Sequence, residues 1–149
     1  MKQGDTVEDF TLTDDTGAPR TLSTMLADGP VVLFFYPLAD STGCTKESCH
    51  FRDLAKEFAA VGAQRVGISP DAPDKQHAWS DKHSLDFPLL SDPDGRVATQ
   101  FGVRRRFGPL RTRRRTFVID TDGKILEAIG SELNMTVHAD QALEVLKAR

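Results

Sequence analysis

The chain is short of cysteines and has no long apolar run, and each shortage excludes something. Among its 149 residues there are two cysteines, Cys44 and Cys49. Two thiols without an export signal ahead of them do not make the disulfide framework of a small secreted domain. Catalysis, metal binding and an incidental role remain as readings of the pair. No stretch reaches the roughly 18 apolar residues that a membrane span requires; the longest, Val31 to Tyr36, is strand-sized. The opening residues MKQGDTVEDF lack the charged-then-apolar pattern of a signal peptide, so the expected compartment is the cytoplasm. A net charge of −3 does not point to nucleic acid as a partner of the whole surface. EF-hand, P-loop and dinucleotide fingerprints are missing. So are repeats, low-complexity stretches and linkers, and the expectation is one domain over residues 1–149. A domain of that size buries roughly two-thirds of its unfolded surface and folds without a staple.

What is present is a run of alternating elements. Asp9 to Thr13 alternates apolar and polar residues, as a half-buried strand does, and Asp14-Asp15-Thr16-Gly17 is turn chemistry. Arg20 to Leu26 reads as a strand end and a helical turn. Val31 to Tyr36 is β-branched and aromatic on both faces and stops at Pro37, which is the mark of a buried central strand. After the loop Pro37–Gly43 the period changes. Phe51, Leu54, Ala55, Phe58, Ala59 and Val61 form one stripe of a helix predicted from Cys44 to about Val61, with Gly62 ending it. Gln64–Ser69 reads as a second buried strand, Pro73–His83 as a polar helix, Phe87–Leu90 as a short extended piece and Arg96–Phe101 as a short helix. Thr116–Asp120 and Ile125–Ile129 flank an Asp-Gly turn and form a hairpin. Thr136–Lys147 closes the chain as a helix with Ala139, Ala142, Leu143 and Leu146 inward. Early βα units followed by a hairpin imply an α/β fold, a thioredoxin-like sandwich with a mixed central sheet and helices on both faces.

Cys44 falls at the first turn of the predicted helix, where unpaired N–H groups and the helix dipole favour a thiolate. That suits a nucleophile; a small buried residue at a strand–helix junction is the plainer reading. Cys49 lies five residues on. Five residues of α-helix rise about 7.5 Å and turn about 500°, placing the two Cα atoms about 8.6 Å apart. A disulfide needs about 4.4–6.8 Å. If the two bond, the first turns of the helix must unwind; if they do not, Cys49 can be a core filler. The spacing is not C-x-x-C, nor that of haem attachment. A zinc site needs about four ligands, and Cys44, Cys49 and His50 supply three with no cluster among His77, His83 and His138. No metal or cofactor is expected.

The residues around Cys44 resemble a known family. Pro37-x-x-x-Ser41-x-x-Cys44 fits the P-x-x-x-[T/S]-x-x-C pattern of peroxiredoxins, and Gly43-Cys44-Thr45-Lys46-Glu47-Ser48-Cys49 resembles the G-C-T-x-x-x-C stretch of the PrxQ, or bacterioferritin comigratory protein, subfamily. Arg114-x-Thr116-Phe117-Val118-Ile119-Asp120 is similar to the strand that carries the family's active-site arginine. Gly4-Asp5, Asp9-Phe10-x-Leu12 and Leu89-Leu90-Ser91-Asp92 match as well, so the likeness spans nearly the whole chain. It implies a thiol-dependent peroxidase acting on hydrogen peroxide and organic hydroperoxides. Cys44 is then the peroxidatic thiolate that becomes a sulfenic acid, and Cys49 the resolving thiol that condenses with it. Ser41 bonds the peroxide and the Cys44 sulfur, Arg114 holds the thiolate and the developing charge, Pro37 shields the pocket, and the N–H groups of Gly43 and Cys44 complete it. Thioredoxin or a similar dithiol recycles the disulfide, and the protein is expected as a monomer, with a dimer as the other possibility. Two positions depart from the pattern: the usual Thr is Ser41, and a frequent Pro is Thr42, which is expected to serve as an N-cap instead.

Other features leave readings open. Seven arginines lie between Arg104 and Arg115. They form either a solvated loop that contributes Arg114, or an anion-binding patch that would make the chain a redox-responsive binder of nucleic acid or an acidic partner. A one-residue slip of register would exchange Arg114 for Arg113 or Arg115. Glu47, three residues after Cys44, is either the partner of an arginine or a first-turn acid facing the dipole. Trp79, alone on its polar helix, reads as a packing or surface residue and not as a binding platform.

Overall fold

A computed structural model describes residues 1–108 and 110–149. Along the chain the elements are β1 (Thr11–Asp14), β2 (Pro19–Thr21), α1 (Leu22–Leu26), β3 (Val31–Phe35), α2 (Thr42–Asp53), α3 (Ala55–Ala60), β4 (Gln64–Ser69), α4 (Pro73–His83), β5 (Leu89–Ser91), α5 (Arg96–Gln100), β6 (Arg115–Ile119), β7 (Ile125–Gly130) and α6 (Val137–Lys147). Among the described residues the strands form one sheet in the order β2-β1-β5-β4-β3-β6-β7. β4 pairs parallel with β3 and with β5, and the remaining pairs are antiparallel. This is the expected thioredoxin-like sandwich with a mixed sheet.

β3 is apolar on both faces because it serves two cores. Val31, Leu33 and Phe35 point into one, shared with α1 and α5; Val32 and Phe34, with Tyr36 beyond the strand end, point into the other, shared with α2, α3, α4 and α6. Each fully buried side chain of this size contributes about 1.5–3 kcal/mol, so β3 is the strand that the fold can least lose. Phe34 stacks on Phe51 of α2 with ring centroids 4.3 Å apart. That contact seats α2 on the sheet and fixes where its N-terminus stands.

The helix predicted from Cys44 to Val61 is two helices. It starts earlier, at Thr42, and breaks at Leu54, whose backbone leaves the helical region (φ −97°, ψ 20°). No glycine or proline marks the break. Beyond the break Phe58 joins Phe51 in the same core, with ring centroids 5.7 Å apart.

On β6 the side chains alternate in the same way. Phe117 and Ile119 face the α1/α5 core, whereas Val118 faces the α2/α6 side and Thr116 bonds His138 of α6. Position 114 shares the parity of 116 and 118. Strand parity therefore sends Arg114 toward α2, while Arg113 is exposed and Arg115 packs over Gly130. Within the arginine loop, Pro109 lies outside the described residues.

Gly67 in β4 sits against closely packed side chains of the second core. A Cβ there would stand 2.8 Å from Leu89, 3.0 Å from Tyr36 and 3.1 Å from Phe34. Gly67→Ala is expected to cost about 1–3 kcal/mol by overpacking, read as a lower urea midpoint with an unchanged m-value.

Candidate active site

The loop between β3 and α2 is held by short bonds of its own. Asp40 takes a left-handed backbone (φ 67°), which Asp tolerates. The Ala39 N–H donates to Asp71 at 2.7 Å, tying the loop to the segment after β4. Pro37 is buried at its start. The Ser41 hydroxyl donates to the Leu38 carbonyl at 2.9 Å and accepts from the Cys44 N–H at 3.3 Å. Ser41 is thus the N-cap of α2. Three expectations are corrected by this. Thr42 is the first helical residue and not the cap. The Ser41 hydroxyl is engaged with backbone and not with the Cys44 sulfur. The Cys44 N–H is committed to Ser41 and is not free to line the pocket. The cause is the same each time: a helix start leaves its first N–H groups without partners, and Ser41 is the nearest acceptor.

Cys44 is fully buried in the first turn of α2. The Arg114 guanidinium reaches it from the edge of β6: Nη2 stands 3.2 Å from the sulfur, and Nη1 donates to Glu47 Oε1 at 2.8 Å. Gly43 makes room for this approach, since a Cβ there would lie 3.3 Å from Arg114 Nη2 and 3.5 Å from Met135. Arg114 Nε is buried without a protein acceptor. Among the described residues, Glu47 therefore takes the arginine-partner reading, and it is buried rather than facing the dipole in solvent.

Behind Glu47 stands His138, which sequence reasoning considered only as a possible metal ligand. It is fully buried on α6. Its Nε2 lies 2.8 Å from the Ser131 carbonyl, so that nitrogen carries the hydrogen. Its Nδ1 lies 2.8 Å from the Thr116 hydroxyl and 3.6 Å from Glu47 Oε2. A signal existed: His138 and Ala142 are one turn apart on the inward stripe of α6.

The electrostatics follow from burial. Removal from water pushes the Glu47 carboxyl up to about 8, against the pull of Arg114. Burial also opposes the Arg114 charge, but Glu47 and Cys44 outweigh it and hold the guanidinium above its ordinary value. Burial lowers His138 below its ordinary value, which favours the neutral imidazole.

Cys49 is half-buried further along α2, and both thiols are free. α2 is continuous from Thr42 to Asp53, which leaves the two Cα atoms about 8.6 Å apart by helix geometry. The first turns of α2 are pinned from outside by Trp79, whose indole N–H donates to the Thr45 hydroxyl at 3.1 Å, and further on by His50, 2.7 Å from Asp140 of α6. Trp79 is buried, so of its packing and surface readings the structure takes packing.

The two sides of the arginine run are tied to each other. Arg104 bridges Thr112, and the Arg105 N–H donates to the Arg111 carbonyl. Glu132 accepts from the Arg105 side chain at 2.9 Å and from the Arg114 backbone at 3.0 Å. The arm thereby fixes where Arg114 enters the site. No group of three or more His, Cys, Asp or Glu side chains suited to a metal occurs among the described residues, and none of their helices is long and apolar enough to cross a membrane.

Residues 3–128 match the AhpC/TSA family. A Mycobacterium tuberculosis protein whose name includes the word peroxiredoxin is 61% identical, over 99% of this chain and 97% of its own length. The crystal structure of peroxidoxin BcpB from Mycobacterium tuberculosis is similar at a TM-score of 0.96 with 59% identity, covering 99% of this chain and 97% of that one. Peroxiredoxin Q from Xanthomonas campestris is similar at a TM-score of 0.85 with 31% identity, over 94% and 90% of the two chains.

Glu47 links stability to pH. Its folded value of about 8 lies above its ordinary 4.5, so the folded state binds more protons in that window. Its contribution is complete below pH 4.5 and is lost as pH rises toward 8. Thermal unfolding of the reduced protein across this range is expected to show that loss, and Glu47→Gln is expected to flatten it. An identical slope in the variant contradicts the assignment.

Proposed function

The chain belongs to the AhpC/TSA family of peroxiredoxins, thiol-dependent peroxidases, and on that premise we propose how its own residues carry the reaction. The observation that carries the reading is the Arg114 guanidinium, 3.2 Å from the buried Cys44 sulfur. A fixed cation at that distance favours the thiolate and remains in place for the charge that develops on the leaving oxygen. Cys44 is assigned as the peroxidatic thiol. Its sulfur forms a bond to one peroxide oxygen, the O–O bond breaks, and a sulfenic acid and an alcohol or water result. Arg114 Nε, buried without a protein acceptor, is a donor available to the peroxide. Because Cys44 has no exposed surface, entry of the peroxide requires Met135 or the Pro37–Ser41 loop to move aside. Pro37 shapes that loop, and Ser41 releases its cap to meet the peroxide as the loop moves.

Cys49 is assigned as the resolving thiol. The intact helix keeps it out of reach, so the first turns of α2 unwind before the Cys44–Cys49 disulfide closes. The Trp79–Thr45 bond and the Ser41 cap are released in that step; Phe51 on Phe34 stays as the anchor. A dithiol protein of the thioredoxin type reduces the product. The unit that performs the cycle is the single domain of residues 1–149, monomeric and in the cytoplasm. The arginine arm serves to deliver Arg114, and with Arg105 paired to Glu132 we do not favour nucleic acid as its partner.

C44S is expected to abolish peroxide consumption. C49S is expected to form one sulfenic acid and fail to turn over with thioredoxin, while Arg114→Ala lowers kcat/KM by about 10²–10³-fold. Mass spectrometry after one equivalent of peroxide is expected to map a loss of two hydrogens to Cys44–Cys49. Peroxidase activity in C44S, or a disulfide between two chains, contradicts the scheme.

A further inference from the structure

Glu47 has one carboxyl oxygen accounted for and one left over. Oε1 accepts from Arg114 at 2.8 Å, whereas Oε2 is buried with no hydrogen-bond partner. A bare carboxylate oxygen away from water is costly, and a neutral carboxyl costs less there than an ionised one. His138 offers it no cation and no free acceptor: its Nε2–H is held by the Ser131 carbonyl, its Nδ1 accepts from the Thr116 hydroxyl, and Nδ1 stands 3.6 Å from Oε2, beyond hydrogen-bond distance. The other groups that act on the pair are Thr116, which holds Nδ1, and the charges of Arg114, Arg115 and Glu132.

A charge count gives this geometry its meaning. Arg114 is the cation between the Cys44 sulfur and Glu47. A thiolate and a carboxylate together would leave the buried site with a net negative charge, which low-dielectric surroundings penalise. One proton held by Glu47 makes it neutral. Once the sulfur is oxidised to the uncharged sulfenic acid, the imbalance reverses: Arg114 is left without a counter-charge unless Glu47 ionises.

We propose that Glu47 is the proton store of the peroxide-reducing step, holding a proton while Cys44 is a thiolate and releasing it when the sulfur is oxidised. The proposal rests on Cys44 being the attacking thiol. The sulfur donates its electron pair to one peroxide oxygen as the O–O bond breaks; sulfur is oxidised and the peroxide reduced. The leaving oxygen, departing as RO⁻, gains the one proton that Glu47 loses, so the products are ROH, the sulfenic acid and the Glu47 carboxylate. The site is neutral before and after. When a dithiol later returns Cys44 as a thiol, its proton passes to Glu47 and the thiolate is restored.

The test counts protons in the C49S variant, which stops at the sulfenic acid. It is mixed with one equivalent of hydrogen peroxide in weakly buffered solution at neutral pH with an indicator dye, and the sulfenic acid is counted by dimedone labelling. C49S is expected to take up almost no proton from solution per sulfenic acid formed, and C49S/E47Q to take up one. One proton taken up by C49S overturns the store, as does none taken up by C49S/E47Q, which would mean that the reaction began from the thiol. No sulfenic acid in folded C49S overturns the assignment of Cys44, and the store with it. Infrared difference spectra of C49S alone give a second reading that no Glu47 variant can confound: a protonated carboxylic acid band is expected to vanish on oxidation, and its persistence overturns the proposal.

Discussion

One guanidinium, that of Arg114, joins the two halves of the site. It enters at the edge of β6, bonds the Glu47 carboxyl on α2, and lies against the Cys44 sulfur one turn before it. A planar fork with several donors can hold both partners at once, which an ammonium on a flexible stem does less well. Much of the surrounding structure sets this contact. Parity along β6 turns Arg114 to the correct face, Glu132 pins its backbone, Gly43 leaves room for it, and the Phe34–Phe51 stack seats α2 at the right height. On the proposed charge count the pair of Arg114 with the Cys44 thiolate is the costly one to break, because removing either member leaves the other charge unpaired in low dielectric.

On the proposed route a second constraint follows: α2 must be both firm and breakable. Its far end is anchored by Phe51 in the core and by His50 at Asp140, while its first turns depend on the Ser41 cap, the Trp79–Thr45 bond and the Arg114 contacts. On the proposed route, oxidation removes the thiolate charge and so weakens the hold of Arg114 on Cys44. The chemistry itself then loosens the turns that have to unwind for Cys49. Local opening of this kind takes less free energy than global unfolding, and two cores packed on either side of β3 hold the rest of the fold meanwhile.

The parts of this that were legible in the sequence have local causes. Gln64–Ser69 and, in approximate bounds, Pro73–His83 were readable, because a buried strand and a proline-started helix each carry their own boundaries. The two-sided apolar character of Val31–Tyr36 announced a central strand. The break at Leu54 was not legible, since neither a glycine nor a proline marks it and the apolar stripe runs on through it. The Ser41 hydroxyl was assigned to the sulfur when its first claim is the orphan N–H of Cys44, a competition that spacing does not rank. Arg114 was chosen among neighbouring arginines by resemblance, and the pairing of β6 with β3 and β7 gives the physical reason. The alternatives for Glu47 were left open and His138 went unread as a neighbour of the site, because their meeting depends on α6 packing beside β6, a long-range contact that no local pattern records.

The account turns on oxidation of Cys44 being followed by unwinding of the start of α2 and bonding to Cys49. Trp79 is the only tryptophan and donates to Thr45 within those turns. Its fluorescence, followed in a stopped-flow mixer after one equivalent of peroxide, reports the event where it happens. The account predicts two phases in the wild type, one for oxidation and one for unwinding, with only the first in C49S. A second phase that persists in C49S, or fluorescence that stays constant while the Cys44–Cys49 disulfide forms, would contradict it.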